Sequence, residues 1–356
     1  MALSIDLAST ASTLGLPDPR FTAGRGYLAA CTLGIPATAT AEAISRDLER
    51  WRAGEASAAE YSAIVERARG HAATLLGTAA DRVAVGSQVS AFVALAAASA
   101  PAGARIACVD GDFSSVVAPF LARGDLDVRP VPLARLADAI TPSTWLVAFS
   151  LVQSATGEIA DAASVIAAAR AAGALVLVDT TQATGWMPTA DLDADLVVCH
   201  AYKWLSAPRG AAFMAVSDRA LDELVPITAG WYSGEDPWSS CYGPDLHLAA
   251  GARRFDVSPA WHAWAGAEAA LELAAGLDLE AVRRYDVSLA DAFRERLGLP
   301  PSASAIVSWP DAEGRDLAAL TAAGLTASGR AGRARVAFHL WNDAEDVDLA
   351  ARALGR

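Results

Sequence analysis

Residues 174–216, ALVLVDTTQATGWMPTADLDADLVVCHAYKWLSAPRGAAFMAV, contain three short runs made almost wholly of Val, Leu, Ala, Cys, Phe and Met. Apolar runs of five or six residues, bounded by turn-forming stretches, read as strands buried on both faces, the pattern of a parallel sheet. Similar runs precede them: RVAVGS from residue 82, ARIACVD from 104 and TWLVAFS from 144. Ala-rich helical stretches fill the gaps, among them SAFVALAAASA (90–100) and DAASVIAAARAAG (161–173). Strands alternating with helices predict a parallel α/β sheet over about residues 80–217.

Beyond it the chain changes character. Residues 218–253, including WYSGEDPWSSCYGP, are rich in Trp, Gly, Pro and Ser and read as loop. PAWHAWAGAEAALELAAGL (259–277) reads as a helix with Pro259 in its first turn, and ASAIVSW (303–309) and ARVAFHL (334–340) as short strands. The division expected is a large α/β domain over 15–250 and a small α+β domain over 251–356, with 1–14 as an N-terminal segment.

The formal charge of -13 and the absence of any basic block argue against a nucleic-acid partner. No apolar run approaches the length of a membrane span, and the N-terminus lacks the basic and apolar regions of a signal peptide, so a cytoplasmic location is expected. Cys31, Cys108, Cys199 and Cys241 are scattered without metal-ligand spacing and are expected to be reduced, buried thiols, with no metal site.

In open α/β sheets ligands collect at the carboxyl ends of the strands. There this sequence is polar: Ser87 and Gln88 after the first run, Phe113 after the second, Gln153 after TWLVAFS, Asp179 and Gln182 after ALVLV, and His200, Tyr202 and Lys203 after DLVVC. Lys203 is the single lysine among 28 basic residues; every other one is Arg. Arginine serves wherever plain positive charge is wanted, but it cannot lose its proton to act as a nucleophile or form a stable Schiff base, and lysine can. No phosphate-binding loop ending in GK[ST], HExxH, GxSxG or strand-linked GxGxxG is present, which removes the usual nucleotide, zinc-protease, hydrolase and dinucleotide signatures.

The ordered set of a strand ending in Asp, Gln three later, an aromatic-Lys pair, then Pro and Gly resembles the core signature of the class V aminotransferase family. These are fold-type I enzymes using pyridoxal 5'-phosphate (PLP), among them cysteine desulfurases, kynureninases and isopenicillin epimerase-like proteins. The resemblance implies a large domain with a mostly parallel seven-stranded sheet between helices, a smaller C-terminal domain, PLP as cofactor and a homodimer acting on a small amino acid. It makes Lys203 the Schiff-base lysine and Asp179 the partner of the pyridine nitrogen, both catalytic. Gln182 is matched to the phenolic oxygen, Phe113 to the ring face, and Ser87, Gln88, His200 and Tyr202 to the phosphate, with Gln153 also in the cofactor site. Near the end, SGRAGRARVAFHLWNDAEDVD is similar to the family's closing motif, which makes Arg335 the candidate for the substrate carboxylate, with Arg330 and Arg333 as rivals.

LTASGRAGRARV has no cysteine, so the thiolate of a classical desulfurase is missing. RRFDVSPAWHAWAGAEAAL and YLAACTLG resemble PLP lyases that cleave carbon-sulfur bonds in ergothioneine formation. The leading expectation is therefore β-elimination with carbon-sulfur cleavage. An aminotransferase delivering the amino group to a keto acid is the alternative, and a non-catalytic PLP-binding protein the alternative from another class.

Overall fold

The computed structural model describes residues 17–356; the expected N-terminal segment 1–14 lies outside them. Seven strands form the main sheet: β1 (Val83–Gly86), β2 (Arg105–Val109), β3 (Asp127–Val131), β4 (Thr144–Ser150), β5 (Leu175–Asp179), β6 (Leu196–His200) and β7 (Ala212–Val216), in the order β1-β7-β6-β5-β4-β2-β3. From β3 to β6 all neighbours are parallel. β7 runs antiparallel to both β6 and β1, so the sheet is mostly rather than wholly parallel. The reason is local: residues 201–211 hold no helix to carry the chain back across the sheet, so β7 returns beside β6 in the opposite sense.

β5 and β6 are buried at every residue, as their apolar runs predict. Their side chains still alternate between two cores. Leu175 and Leu177 face the helices Val89–Ser99 and Ser114–Ala122, while Val176 and Val178 face the helix Ala162–Ala172. β3 is absent from the runs read in the sequence, because DVRPV carries Asp127, Arg129 and Pro130 and is half exposed. It is an edge strand, where a proline and charges are tolerated.

A second, antiparallel sheet joins β8 (Ile306–Pro310), β9 (Ser328–Arg330) and β10 (Arg333–Ala337) in the order β8-β10-β9. Its core takes Tyr285, Leu289 and Phe293 from the helix Leu279–Arg296 and Val347 from the helix Ala344–Ala353. Leu28, from near the start of the chain, is buried in that core, and Tyr27 and Ala29 bridge to Thr326 and Ala337. The helix Trp261–Ala275 instead packs on the helix Ala58–Leu76 with Val83, Val197 and Phe213 of the main sheet.

Three expectations change. Pro259 lies before the Ala260 cap rather than in the first helical turn. The segment read as loop opens with a short helix, Asp218–Glu223, whose Ser217 cap accepts a hydrogen bond from the Ala220 N–H. Cys241 is exposed, unlike the other three cysteines. No helix among the described residues is long and apolar enough to cross a membrane.

Candidate active site

Asp179 ends β5 and lies opposite Val198 of the neighbouring β6, so the chain after β6 emerges at the same sheet edge. There it turns tightly. Ser206 donates its N–H to the Lys203 carbonyl, Ala207 to that of Ala201, and Ser206 adopts φ 54°, a left-handed conformation costly for a residue with a Cβ. Two glycines hold the turn from either side. A Cβ on Gly34 would overlap the Lys203 carbonyl oxygen, and one on Gly185 would come within 2.8 Å of the Trp204 backbone. Gly34 also donates its N–H to the Tyr202 carbonyl at 2.9 Å. Lys203 is thereby fixed at 5% exposure.

Burial works on both charges of this edge. It lowers the Lys203 amine from its ordinary 10.5 to about 8, against the pull of Asp179 in the other direction. It raises Asp179 to about 6, opposed by Thr181, whose N–H donates to Oδ1 at 2.8 Å, and by Lys203. Lys203 Nζ lies 5.2 Å from the centre of the Phe113 ring and 5.7 Å from that of Tyr202. Phe113 caps the helix Ser114–Ala122, and its N–H donates to Asp112 Oδ1 at 2.6 Å; the same carboxylate accepts from Ser150 at the end of β4. That tie between β4 and the helix start aims the ring at the cavity.

Gln88, Phe113, Asp179, His200, Tyr202 and Lys203, all named from the sequence, line one cavity, joined by Ser90, Ser115, Thr181 and Arg209. Gln88 caps the helix Val89–Ser99 without a side-chain hydrogen bond; the Ala91 N–H donates to the Gln88 carbonyl, and the N–H groups of Val89 and Ser90, which line the cavity, have no partner among the described residues. His200 is 7% exposed, and its Nε2 has no hydrogen-bond partner among the described residues. Burial, with the charges of Arg209 and Lys203, lowers its pKa to about 4, so the ring is neutral near pH 7. A buried polar atom without a partner is costly, and His200 lines a cavity where a ligand can supply one.

The remaining candidates lie deeper or farther out. Gln182 donates from Nε2 to the Cys31 carbonyl at 2.9 Å and to Ser154 Oγ at 3.0 Å, and its Oε1 accepts from Trp204 Nε1 at 2.8 Å. Both its amide hydrogens are engaged within the protein. Gln153 is buried and donates to the Ser150 carbonyl at 3.1 Å, bracing the loop after β4 rather than lining the cavity. Ser87 is exposed and does not line it either.

Of the three arginines, Arg335 alone is buried, at 1% exposure. It donates to the Ser154 carbonyl, to Ser154 Oγ at 3.1 Å, to Thr32 Oγ1 at 2.8 Å and to Ser328 Oγ at 3.2 Å, and its charge acts on Lys203. No acidic side chain pairs with it among the described residues. Arg333 is held by the Ser308 hydroxyl and carbonyl, and Arg330 reaches only the Gly329 carbonyl.

Thr32, Ser154, Thr181, Ser90, Ser115 and Arg209 were not singled out from the sequence. Thr181, Ser90 and Ser115 lie within two residues of the candidates Asp179, Gln88 and Phe113, and Arg209 lies six after Lys203; that nearness is the signal that points to them. Thr32 carries no such signal, since its contact with Arg335 spans 303 residues. A buried clamp was also unmarked: His339 Nε2 lies 2.9 Å from the Trp204 carbonyl, and its Nδ1 lies 2.7 Å from Asp286 Oδ2. It ties the small domain to the Lys203 turn.

Residues 49–331 match the family described as aminotransferase class-V. The chain is 34% identical over 260 residues to a kynureninase of Deinococcus radiodurans, covering 69% of this chain and 62% of that protein. It is 32% identical over 193 residues to an isopenicillin N epimerase of Streptomyces clavuligerus, 48% of each chain. The aligned parts thus span about three fifths of that kynureninase and about half of that epimerase. In fold, the chain superposes on a cystine C–S lyase in complex with its product cysteine persulfide, with TM-score 0.81, 22% identity and coverage of 93% and 97% of the two chains. It also superposes on a cysteine desulfurase of Escherichia coli, with TM-score 0.82, 20% identity and coverage of 98% of both.

Proposed function

We propose, from the premise that this chain belongs to the class V aminotransferase family of PLP-dependent enzymes, that it cleaves a carbon-sulfur bond at the β carbon of an amino acid. The fold is that of fold-type I PLP enzymes, as the sequence implies. The residues present fit the cofactor. A buried carboxylate and a buried amine share one cavity with His200, whose Nε2 has no partner among the described residues, and the Val89 and Ser90 N–H groups at the start of the helix Val89–Ser99 are unpaired there. Asp179 and Lys203 would hold the cofactor's pyridine nitrogen and aldehyde, Phe113 its ring face, and Gln88, Ser90, His200 and Tyr202 its phosphate. Bound there, PLP supplies an electron sink for negative charge at the substrate's α carbon.

The chain supplies the rest. With its pKa near 8, Lys203 Nζ is neutral often enough at pH 7 to take a proton from the α carbon and, once protonated, to give one to the departing sulfur. Asp179, shielded from water, would hold a proton on the pyridine nitrogen of the bound cofactor. Gln182 and Gln153 brace the walls rather than touch the substrate. Support for an amino-acid substrate comes foremost from Arg335: a buried guanidinium held by the neutral oxygens of Thr32, Ser154 and Ser328, with no carboxylate partner among the described residues and close enough for its charge to act on Lys203, suits an anion such as an α-carboxylate. The turn before β10 carries no thiol to accept sulfur from a substrate, which favours release of the sulfur leaving group over its transfer to the protein. We further propose a cytoplasmic homodimer, in which the exposed Trp238 and Tyr242 would be covered by the second copy.

Two measurements in sequence test this. Borohydride added to PLP-loaded protein should fix the reduced cofactor on the peptide carrying Lys203; its absence there sinks the cofactor assignment. Sulfur amino acids should then yield pyruvate and ammonia without a second substrate. A product that forms only when a keto acid is added would identify an aminotransferase instead, and no turnover of any amino acid would leave a binding protein.

A further inference from the structure

Most arginines of this chain pair with a carboxylate, but Arg209, which has no part in the reading above, does not. No acidic side chain among the described residues lies against it, although it follows the Lys203 turn at a crowded sheet edge. Its guanidinium carbon sits 4.7 Å from the centre of the Tyr202 ring, a stacking distance that holds the group in place without using its N–H donors. It lines the cavity beside Gln88, Ser90 and His200. His200, more than nine-tenths buried, offers a second unpartnered nitrogen at the same end. The helix Val89–Ser99, 11 residues long, begins there, with its Val89 and Ser90 N–H groups unpaired among the described residues.

Arg335 shares none of these neighbours. Its partners are Thr32, Ser154 and Ser328, at the seam between the two sheets. The two guanidinium groups have separate sets of neighbours, so an anion held at Arg335 is not one that Arg209 would hold. A substrate carboxylate at Arg335 leaves the anion at Arg209 to be another group.

We infer that Arg209 is a phosphate-binding residue of this site, its fork closing the outer side of the cofactor phosphate that His200 and the start of the helix Val89–Ser99 hold from within. This rests on the PLP reading above. The stacked guanidinium is preorganised, so a phosphate dianion gains charge-assisted and directional hydrogen bonds with little further ordering. Arg209 is exposed, and its loss leaves no buried group unpaired, so its variants should fold.

The test compares two aldehydes that differ only in the phosphate. Apoprotein, as wild type, Arg209→Gln and Arg209→Lys, is titrated with PLP and with pyridoxal, and binding is followed by tryptophan fluorescence. Arg209→Gln should weaken PLP binding about tenfold or more and leave pyridoxal binding unchanged, which is the loss expected from one charge-assisted contact. Arg209→Lys should recover part of the loss. Equal weakening of both ligands, or unchanged PLP binding, overturns the inference while the cofactor reading stands. A substrate KM that rises with PLP affinity intact reassigns the arginine to the substrate and overturns it too. Wild-type protein that binds neither compound overturns the inference and the cofactor reading together.

Discussion

The state of the Lys203 amine can be read without any cofactor, because no other lysine competes with it. Burial lowers it from 10.5 to about 8, with Asp179 pulling the other way. The difference makes the neutral amine about 300-fold more abundant at pH 7 than on an ordinary lysine. Reductive methylation of the apoprotein with formaldehyde uses a reagent small enough for a residue at 5% exposure, and reacts only with the neutral amine. The peptide bearing Lys203 is followed by mass, apart from the N-terminal amine. Its labelling rate should climb tenfold per pH step and level off near pH 8. The same displacement has a stability signature. Between about pH 8 and 10.5 the folded chain carries fewer protons at this site than the unfolded chain, so wild type should gain stability over Lys203→Met as pH rises, by about 3 kcal/mol in all, and lose it again as pH falls through 8. Asp179→Asn removes the negative charge that holds the amine's pKa up, so its plateau should move to lower pH. A rate that keeps climbing to pH 10, or a plateau that moves upward in Asp179→Asn, would refute the reasoning.

Other positions give independent readouts. Arg335→Gln should raise the substrate KM about tenfold or more with PLP affinity retained, and an unchanged KM would remove the carboxylate role. His339→Leu breaks the clamp on the Trp204 carbonyl and leaves Asp286 buried beside an apolar group; it should cost about 3–5 kcal/mol in urea unfolding at pH 7, most of it recovered in the double variant with Asp286→Leu. A loss under about 1 kcal/mol would show that the pair carries little. Gly34→Ala forces a methyl group onto the Lys203 carbonyl and should abolish borohydride trapping at Lys203, whereas trapping at the wild-type level would show that the turn yields.

What could be read from the chain alone follows from where the information lies. Buried parallel strands declare themselves as apolar runs, so β1, β2 and β4 to β7 are legible, and the polar residues that end them mark the ligand-binding edge. β3 was not legible, since an edge strand is free to carry charge and proline. The reversal of β7 was missed because pattern shows that a strand is buried and not which way it runs. The uniqueness of Lys203 and its place after a strand end are properties of the linear sequence, and they are enough to point to amine chemistry. Only the tertiary structure decided which side chains complete the site. Arg335 meets Ser154 and Thr32 across 181 and 303 residues, and His339 meets the Trp204 carbonyl across 135. Contacts at such separations leave no periodicity or spacing to read, because they arise only when packed layers bring distant segments together. The pKa values of Lys203, Asp179 and His200 are set in the same way, by the water those layers exclude.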